Sequence, residues 1–238
     1  MKFVKYLANL GYGSRREVER LFKYGQITSR SGVQLSADDS FVHADVCVDG
    51  EPLDPPPGSA LMFNKPVGYV CSTKEASQLI YELLPLRFRS RSPIMAPIGR
   101  LDRDTSGLLL LTDDGHLNHR VTSPKTHLPK AYLVKLTSDL RGDETEIFAN
   151  GTLLLEGETD ALRPAELDVL SARSARVTLT EGRYHQVRRM FAAVGNHVES
   201  LHRVSIGELT LGELASGQWR VLKSTEVVLL NKPLGGSS

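Results

Sequence analysis

Apolar positions along this chain recur with two different periods, and the change between them marks its elements. Short strand-like runs occur at Val46-Cys47-Val48, followed by an Asp49-Gly50 turn, and at Leu61-Met62-Phe63. Tyr69-Val70-Cys71 predicts another strand across the turn Asn64-Lys65-Pro66-Val67-Gly68, and Leu108 to Leu111 is an unbroken apolar run suited to a buried strand. Tyr132 to Leu136 and Ala175 to Leu179 predict further strands.

Helical spacing appears at Val4, Leu7 and Ala8, and again at Val18, Leu21 and Phe22 behind the capping-box sequence Ser14-Arg15-Arg16-Glu17. Asp114-Gly115 leads into a short helix from His116 to Val121. A further helix runs from about His185 to Val194, with Val187, Met190, Phe191 and Val194 on one face and a Gly195-Asn196 stop. Strands dominate and helices lie scattered between them. The pattern therefore predicts an α+β body on a largely antiparallel mixed sheet with flanking helices.

Pro55-Pro56-Pro57-Gly58 is stiff and closed to helix or central strand, so it divides the chain. The expected organisation is a small module at residues 1–54, a linker at 55–59, a body at 60–234 and a flexible tail at 235–238. Charge follows the same division. Over the whole chain the formal charge is only +1, yet residues 1–30 carry Lys2, Lys5, Arg15, Arg16, Arg20, Lys23 and Arg30 against Glu17 and Glu19. Arg16, Arg20 and Lys23 project from the helix side opposite Val18, Leu21 and Phe22. That block is either a solvated helix face or a polyanion footprint.

Other classes find no support. No apolar run approaches a membrane span, and no secretion signal is expected behind Lys2 and Lys5. Cys47 and Cys71 are too few for a disulfide framework, and neither has zinc-site spacing. There is no P-loop and no Gly-x-Ser-x-Gly elbow, and Gly11-Tyr12-Gly13 follows no strand, so it is no dinucleotide fingerprint. His116 and His119 lack a third metal ligand and are expected at the surface.

Candidate chemistry concentrates in two segments. Gly99-Arg100-Leu101-Asp102-Arg103-Asp104-Thr105-Ser106-Gly107 places a carboxylate between two arginines immediately before a core strand. Asp102 there is either a structural ion-pair partner or a nucleophile or base held ionised by a nearby cation. Glu181-Gly182-Arg183-Tyr184-His185-Gln186-Val187-Arg188-Arg189-Met190-Phe191 opens a helix with arginines off its core face. Cations gain nothing from the macrodipole at that end. The expectation is an Asp102–Arg188 pair, with further arginines binding phosphate. Lys130-Ala131-Tyr132 adds a tyrosine that serves as a core residue or as a stacking surface for a base.

These segments together resemble the RluA/RsuA pseudouridine synthase superfamily. Gly99 to Leu108 is similar to its catalytic signature, Phe63 to Gly68 to its first motif, and Lys130 to Tyr132 and Glu181 to Phe191 to its later ones. Residues 1 to about 54 resemble the small α-L RNA-binding module of the RsuA branch. Tyr69 to Thr73, His119 to Pro124 and Asn196 to Arg203 are most similar to members acting on small-subunit (16S) ribosomal RNA. Two departures stand out: Gln26 to Ser36 lacks the basic, strand-like character of the module, and Arg188 stands where some members have lysine.

The resemblance implies isomerisation of uridine to pseudouridine in ribosomal RNA, without cofactor or metal, by a cytoplasmic monomer. It implies that the RNA is met within a small-subunit assembly particle and that no membrane is involved. Asp102 would act at C1′, Arg188 would pair with it, and Tyr132 would stack on the base. Arg100 would fill the gap left by the flipped nucleotide. Arg183 and Arg189 would bind backbone phosphates, and Arg15, Arg16, Arg20 and Lys23 would form the module's RNA-binding face. The alternatives are a large-subunit (23S) enzyme of the same branch, a non-catalytic assembly factor, and, last, a metal-dependent nuclease using Asp102 and Asp104.

Overall fold

A computed structural model describes residues 1–72, 77–123 and 126–230. The first residues form two helices, α1 (Phe3–Asn9) and α2 (Arg15–Lys23), and strands β1 (Ile27–Ser29), β2 (Val46–Val48) and β3 (Glu51–Pro52). The expected capping box is present: Ser14 Oγ accepts from the Glu17 amide, and the Glu17 carboxylate accepts from the Ser14 amide at 2.6 Å. Phe3, Leu7, Val18, Phe22, Ile27, Val46 and Val48 share one core. β1 lies inside the segment expected to lack strand character. A single apolar residue suffices there, because Ile27 is fully buried and pairs with Val48.

The proline-rich segment is bonded to the body rather than suspended from it. The buried Arg91 guanidinium donates to the Pro55 carbonyl and lies 3.6 Å from Asp113. The Gly58 amide donates to Asp113 Oδ1 at 2.8 Å. Just before it, Asp54 binds Arg87 at 2.6 Å, and its amide donates to the Tyr12 hydroxyl.

In chain order the body comprises β4 (Ala60–Lys65), α3 (Leu86–Ser90), β5 (Ala96–Ile98), β6 (Thr105–Thr112), α4 (Gly115–Thr122), β7 (Lys130–Leu136) and α5 (Glu144–Ala149). There follow β8 (Glu166–Ser171), β9 (Ser174–Leu179), α6 (Gln186–Ala193), β10 (Val198–Ile206), β11 (Leu209–Thr210), β12 (Trp219–Val221) and α7 (Ser224–Leu229). The main sheet runs β12-β4-β6-β10-β7-β9-β8, with β5 beside β6 and β11 beside β10. Among these strands only β6 and β10 pair in parallel, so the sheet is mixed and largely antiparallel as the pattern predicted. Tyr69 to Cys71 is not a strand. Gly68 is bonded to the Arg103 carbonyl, which turns the chain away from the sheet, and only Val70 bridges to Leu79.

The sheet buries both faces over its centre. Ala60, Met62, Leu108 and Leu110 point to one side and pack against Leu117 and Val121 of α4. Leu61, Phe63, Leu109 and Leu111 point to the other, against Ile80, Phe88 and Met95. Further along that second face, Val134, Val177 and Leu201 meet Phe148 of α5 and Val187, Met190 and Phe191 of α6. Each such side chain contributes about 1.5–3 kcal/mol by leaving water. Tyr132 packs against both clusters of this face, and the cleft between them opens above it.

Candidate active site

One row across the sheet sets out the site. Lys65 of β4 pairs with Gly107 of β6, Gly107 with Arg203 of β10, and Arg203 with Tyr132 of β7. Directly paired residues share a face, so Lys65, Arg203 and Tyr132 all point towards the cleft side. Gly107 is required in this row. Its φ is +104°, and a Cβ there would overlap the Arg203 backbone.

Lys65 is fully buried, and its ammonium is held by backbone carbonyls. It donates to those of Pro66 (3.0 Å), Asp102 (3.0 Å) and Thr105 (2.8 Å). Burial pushes its pKa down, while the charges of Asp102 and Asp104 act in the opposite sense. The Gly68 amide donates to the Arg103 carbonyl (2.7 Å), and Arg103 Nε donates to the Gly68 carbonyl (3.2 Å). The turn after β4 and the loop before β6 are thereby laced together, with Asp102 held at the point where they meet. A signal for Lys65 existed in the sequence: it continues the Leu61, Phe63 alternation and so belongs on a core face.

Asp102 is partly exposed in a cleft of about 460 Å³, a size suited to a small ligand group. Arg100 and Tyr132 line the same cleft, Arg100 exposed at the edge and Tyr132 on the sheet. The structure thus brings together Arg100, Asp102 and Tyr132 from separate parts of the chain. Lys130, Leu179, Arg203 and Ile206 also line it. Burial, reinforced by the charge of Arg203, pushes the Lys130 ammonium down to about 8, and it donates to the Leu128 carbonyl at 3.0 Å. Arg203 is buried and donates through Nε to the Leu108 carbonyl at 2.7 Å, leaving Nη2 without a partner. Sequence reasoning did not single out Arg203.

The third segment is arranged differently from the expectation. His185 takes a left-handed conformation (φ 49°, ψ 33°) at the cap of α6, and its Nε2 lies 3.4 Å from Asp102 Oδ1. Arg188 does not reach Asp102. It binds Asp104 Oδ2 at 3.1 Å, the Asp104 carbonyl at 3.1 Å and the Val198 carbonyl at 3.1 Å. The reason lies in the direction of α6: residue 185 sits at the cleft, whereas one helical turn later the chain has moved towards β10 and the outer side of the loop.

Arg183 and Arg189 are likewise not free for phosphate. Arg183 binds Glu158, Glu181 and the carbonyls of Asp160 and Ala161. Arg189 binds Glu158 at 2.7 Å and the Glu156 and Tyr184 carbonyls. Together they clamp the loop 156–161 onto the start of α6 and hold the Glu158 carboxyl below its ordinary range. On α2, by contrast, Arg15, Arg16, Arg20 and Lys23 are all exposed, with Val18 and Phe22 turned inward.

Among the described residues no cluster of three or more His, Cys, Asp or Glu is placed to hold a metal ion, and His116 and His119 are at the surface. No helix among them is long and apolar enough to cross a membrane. What the cleft offers is a carboxylate, an aromatic ring and hydrogen-bond donors around a space open to solvent at one edge.

That arrangement fits an enzyme acting on one residue of a polyanion, and comparison with known proteins identifies the class. The RNA pseudouridylate synthase model matches residues 59–193, and the chain belongs to that family. Its relatives include "Ribosomal small subunit pseudouridine synthase A" of Escherichia coli K12, 47% identical over 77% of this chain and 79% of the relative. The protein of the same name from Pasteurella multocida is 40% identical over 98% of this chain and all of the relative. A crystal structure of a pseudouridylate synthase superposes with a TM-score of 0.68 at 36% identity, covering 97% of this chain and 99% of that one.

Proposed function

We propose that this chain isomerises uridine to pseudouridine in ribosomal RNA, and that its substrate is the small-subunit (16S) RNA. The names carried by these relatives support the substrate. The observation that carries the chemistry is the convergence of Asp102, Tyr132 and Arg100 on one cleft. The reaction breaks the N1–C1′ bond, turns the uracil and closes a C5–C1′ bond. C5 loses a proton and N1 gains one, so nothing is oxidised.

Asp102 acts at C1′, as nucleophile or as the base that leads to a glycal. Tyr132 stacks on the uracil, which must leave its own stack to reach the carboxylate, and Arg100 at the edge occupies the vacated space. Arg188 serves as a positioning residue: by holding Asp104 it fixes the loop that presents Asp102. The exposed cations Arg15, Arg16, Arg20 and Lys23 bind RNA phosphates. Residues 1–54 thus form the RNA-binding module, 55–59 its connection and 60–234 the catalytic domain. The enzyme works as a cytoplasmic monomer on an assembling small subunit, away from membranes.

Tritium release from small-subunit RNA labelled with 5-³H-uridine tests the reading directly. The unaltered protein releases tritium, and Asp102→Asn releases none while still binding the RNA. Substantial turnover by Asp102→Asn would remove Asp102 from the chemistry, and no release by the unaltered protein would leave an RNA-binding factor.

A further inference from the structure

The cleft carries a tyrosine that the reaction does not use. Tyr184 is 73% exposed, which is unusual for a large ring beside a buried helix face. Its ring lies parallel to the His185 imidazole, with centroids 3.9 Å apart and planes 17° apart. His185 in turn places Nε2 3.4 Å from Asp102. Both aromatic residues line the cleft with Asp102, Tyr132 and Arg100. His185 itself holds a left-handed backbone, which a non-glycine residue keeps only when its surroundings enforce it.

A uridine that reaches Asp102 remains covalently joined to its neighbours, so the flanking nucleotides must leave the cleft across its edge. We propose that Tyr184 is the platform on which one nucleobase flanking the target uridine stacks. The inference rests on the uridine being delivered to Asp102, and it assigns the edge two different tasks. Arg100 offers charge and hydrogen-bond donors. Tyr184 offers an open ring face whose opposite face is already covered by His185. Base–aromatic stacking tolerates any base, because every base has a π-face, so Tyr184 contributes affinity and register rather than a sequence code.

The test compares Tyr184→Ala, Tyr184→Leu, Tyr184→Phe and Tyr184→Trp by tritium release from 5-³H-labelled small-subunit RNA. The side chain is exposed, so thermal stability should not change and can be checked by the melting temperature. Tyr184→Ala and Tyr184→Leu should raise KM by about five- to 20-fold with little change in kcat. Phe and Trp, which keep the ring, should restore KM.

Once the modified uridine is mapped by carbodiimide-blocked primer extension, a synthetic RNA with an abasic residue on either side completes a double-mutant cycle. On one side the abasic RNA should lose as much as Tyr184→Ala and add nothing to it. An unchanged KM for Tyr184→Ala, full additivity on both sides, or a fall in kcat alone would each overturn the platform. The last outcome would mean that Tyr184 acts through His185 on Asp102. Active Asp102→Asn would refute the delivery on which the inference rests, whatever Tyr184 does.

Discussion

Two arginine-rich helix starts in this protein look alike as sequence and differ as structure. α2 begins Arg15-Arg16-Glu17, and α6 contains Arg188-Arg189 preceded by Arg183. On α2 the cations stand in solvent over a small core, and Glu17 is engaged in the capping box. Around α6 every one of the three guanidinium groups is bound to carboxylates and carbonyls brought from elsewhere: Glu158 and Glu181 for Arg183, Glu158 for Arg189, Asp104 for Arg188. An arginine cluster therefore does not signal phosphate binding until its acids have been located. The α2 face remains available to a polyanion, while the α6 cluster holds the loop 156–161 and Asp104, two residues beyond Asp102.

This contrast can be broken at three points. The largest effect belongs to α2. Replacing Arg15, Arg16, Arg20 and Lys23 by alanine should weaken RNA binding by roughly 10- to 100-fold at physiological salt. It should also lower the slope of log affinity against log salt by about 0.7 for each phosphate no longer neutralised, with the melting temperature unchanged. Filter binding across a salt series measures both, and an unchanged slope would make the α2 face mere solvated charge.

Next comes Glu158→Gln, which removes the carboxylate shared by Arg183 and Arg189. Both ion pairs are partly open to solvent, which weakens them, so the melting temperature should fall by several degrees while the salt slope stays as it was. The sign with pH follows from the lowered Glu158 pKa. Its contribution is present above the ordinary carboxylate range and disappears as pH falls, so variant and parent should converge in acid. A changed salt slope instead would return Arg183 and Arg189 to the RNA.

The smallest effect concerns a cation that lies in the cleft and not on either helix. Lys130 titrates at about 8 against an ordinary 10.5, so its burial penalises folding fully below pH 8, and the penalty lifts as pH rises towards 10.5. Lys130→Met should raise the melting temperature at pH 7 by about 2–4 °C and lose that advantage above pH 10. Thermal melts at the two pH values decide it, and destabilisation at pH 7 would show that Lys130 is needed for the fold.

Local signals were legible in the sequence because they depend on neighbours. The Ser14–Glu17 box, the β4 and β6 cores and the apolar face of α6 follow from spacing alone, and each formed where expected. Tyr69 to Cys71 had suitable residues but no sheet edge to join, since the Gly68–Arg103 bond diverts the chain. The Asp102–Arg188 pairing failed for a related reason. Choosing between Asp102 and Asp104 depends on the angle at which α6 meets the loop, which no spacing encodes.

The sequence by itself determined which elements form, where a carboxylate sits before a core strand, and which family's motifs the chain carries. Those are properties of residue order, periodicity and local hydrogen bonding. Only the tertiary structure decided which cations are free, that Lys65 ties the Asp102 loop through its carbonyls, and that His185 rather than Arg188 faces Asp102. Each of these contacts joins residues distant along the chain, as Arg188 and Asp104 are at a separation of 84 positions. Its geometry is therefore fixed by sheet register and helix direction, and not by sequence distance.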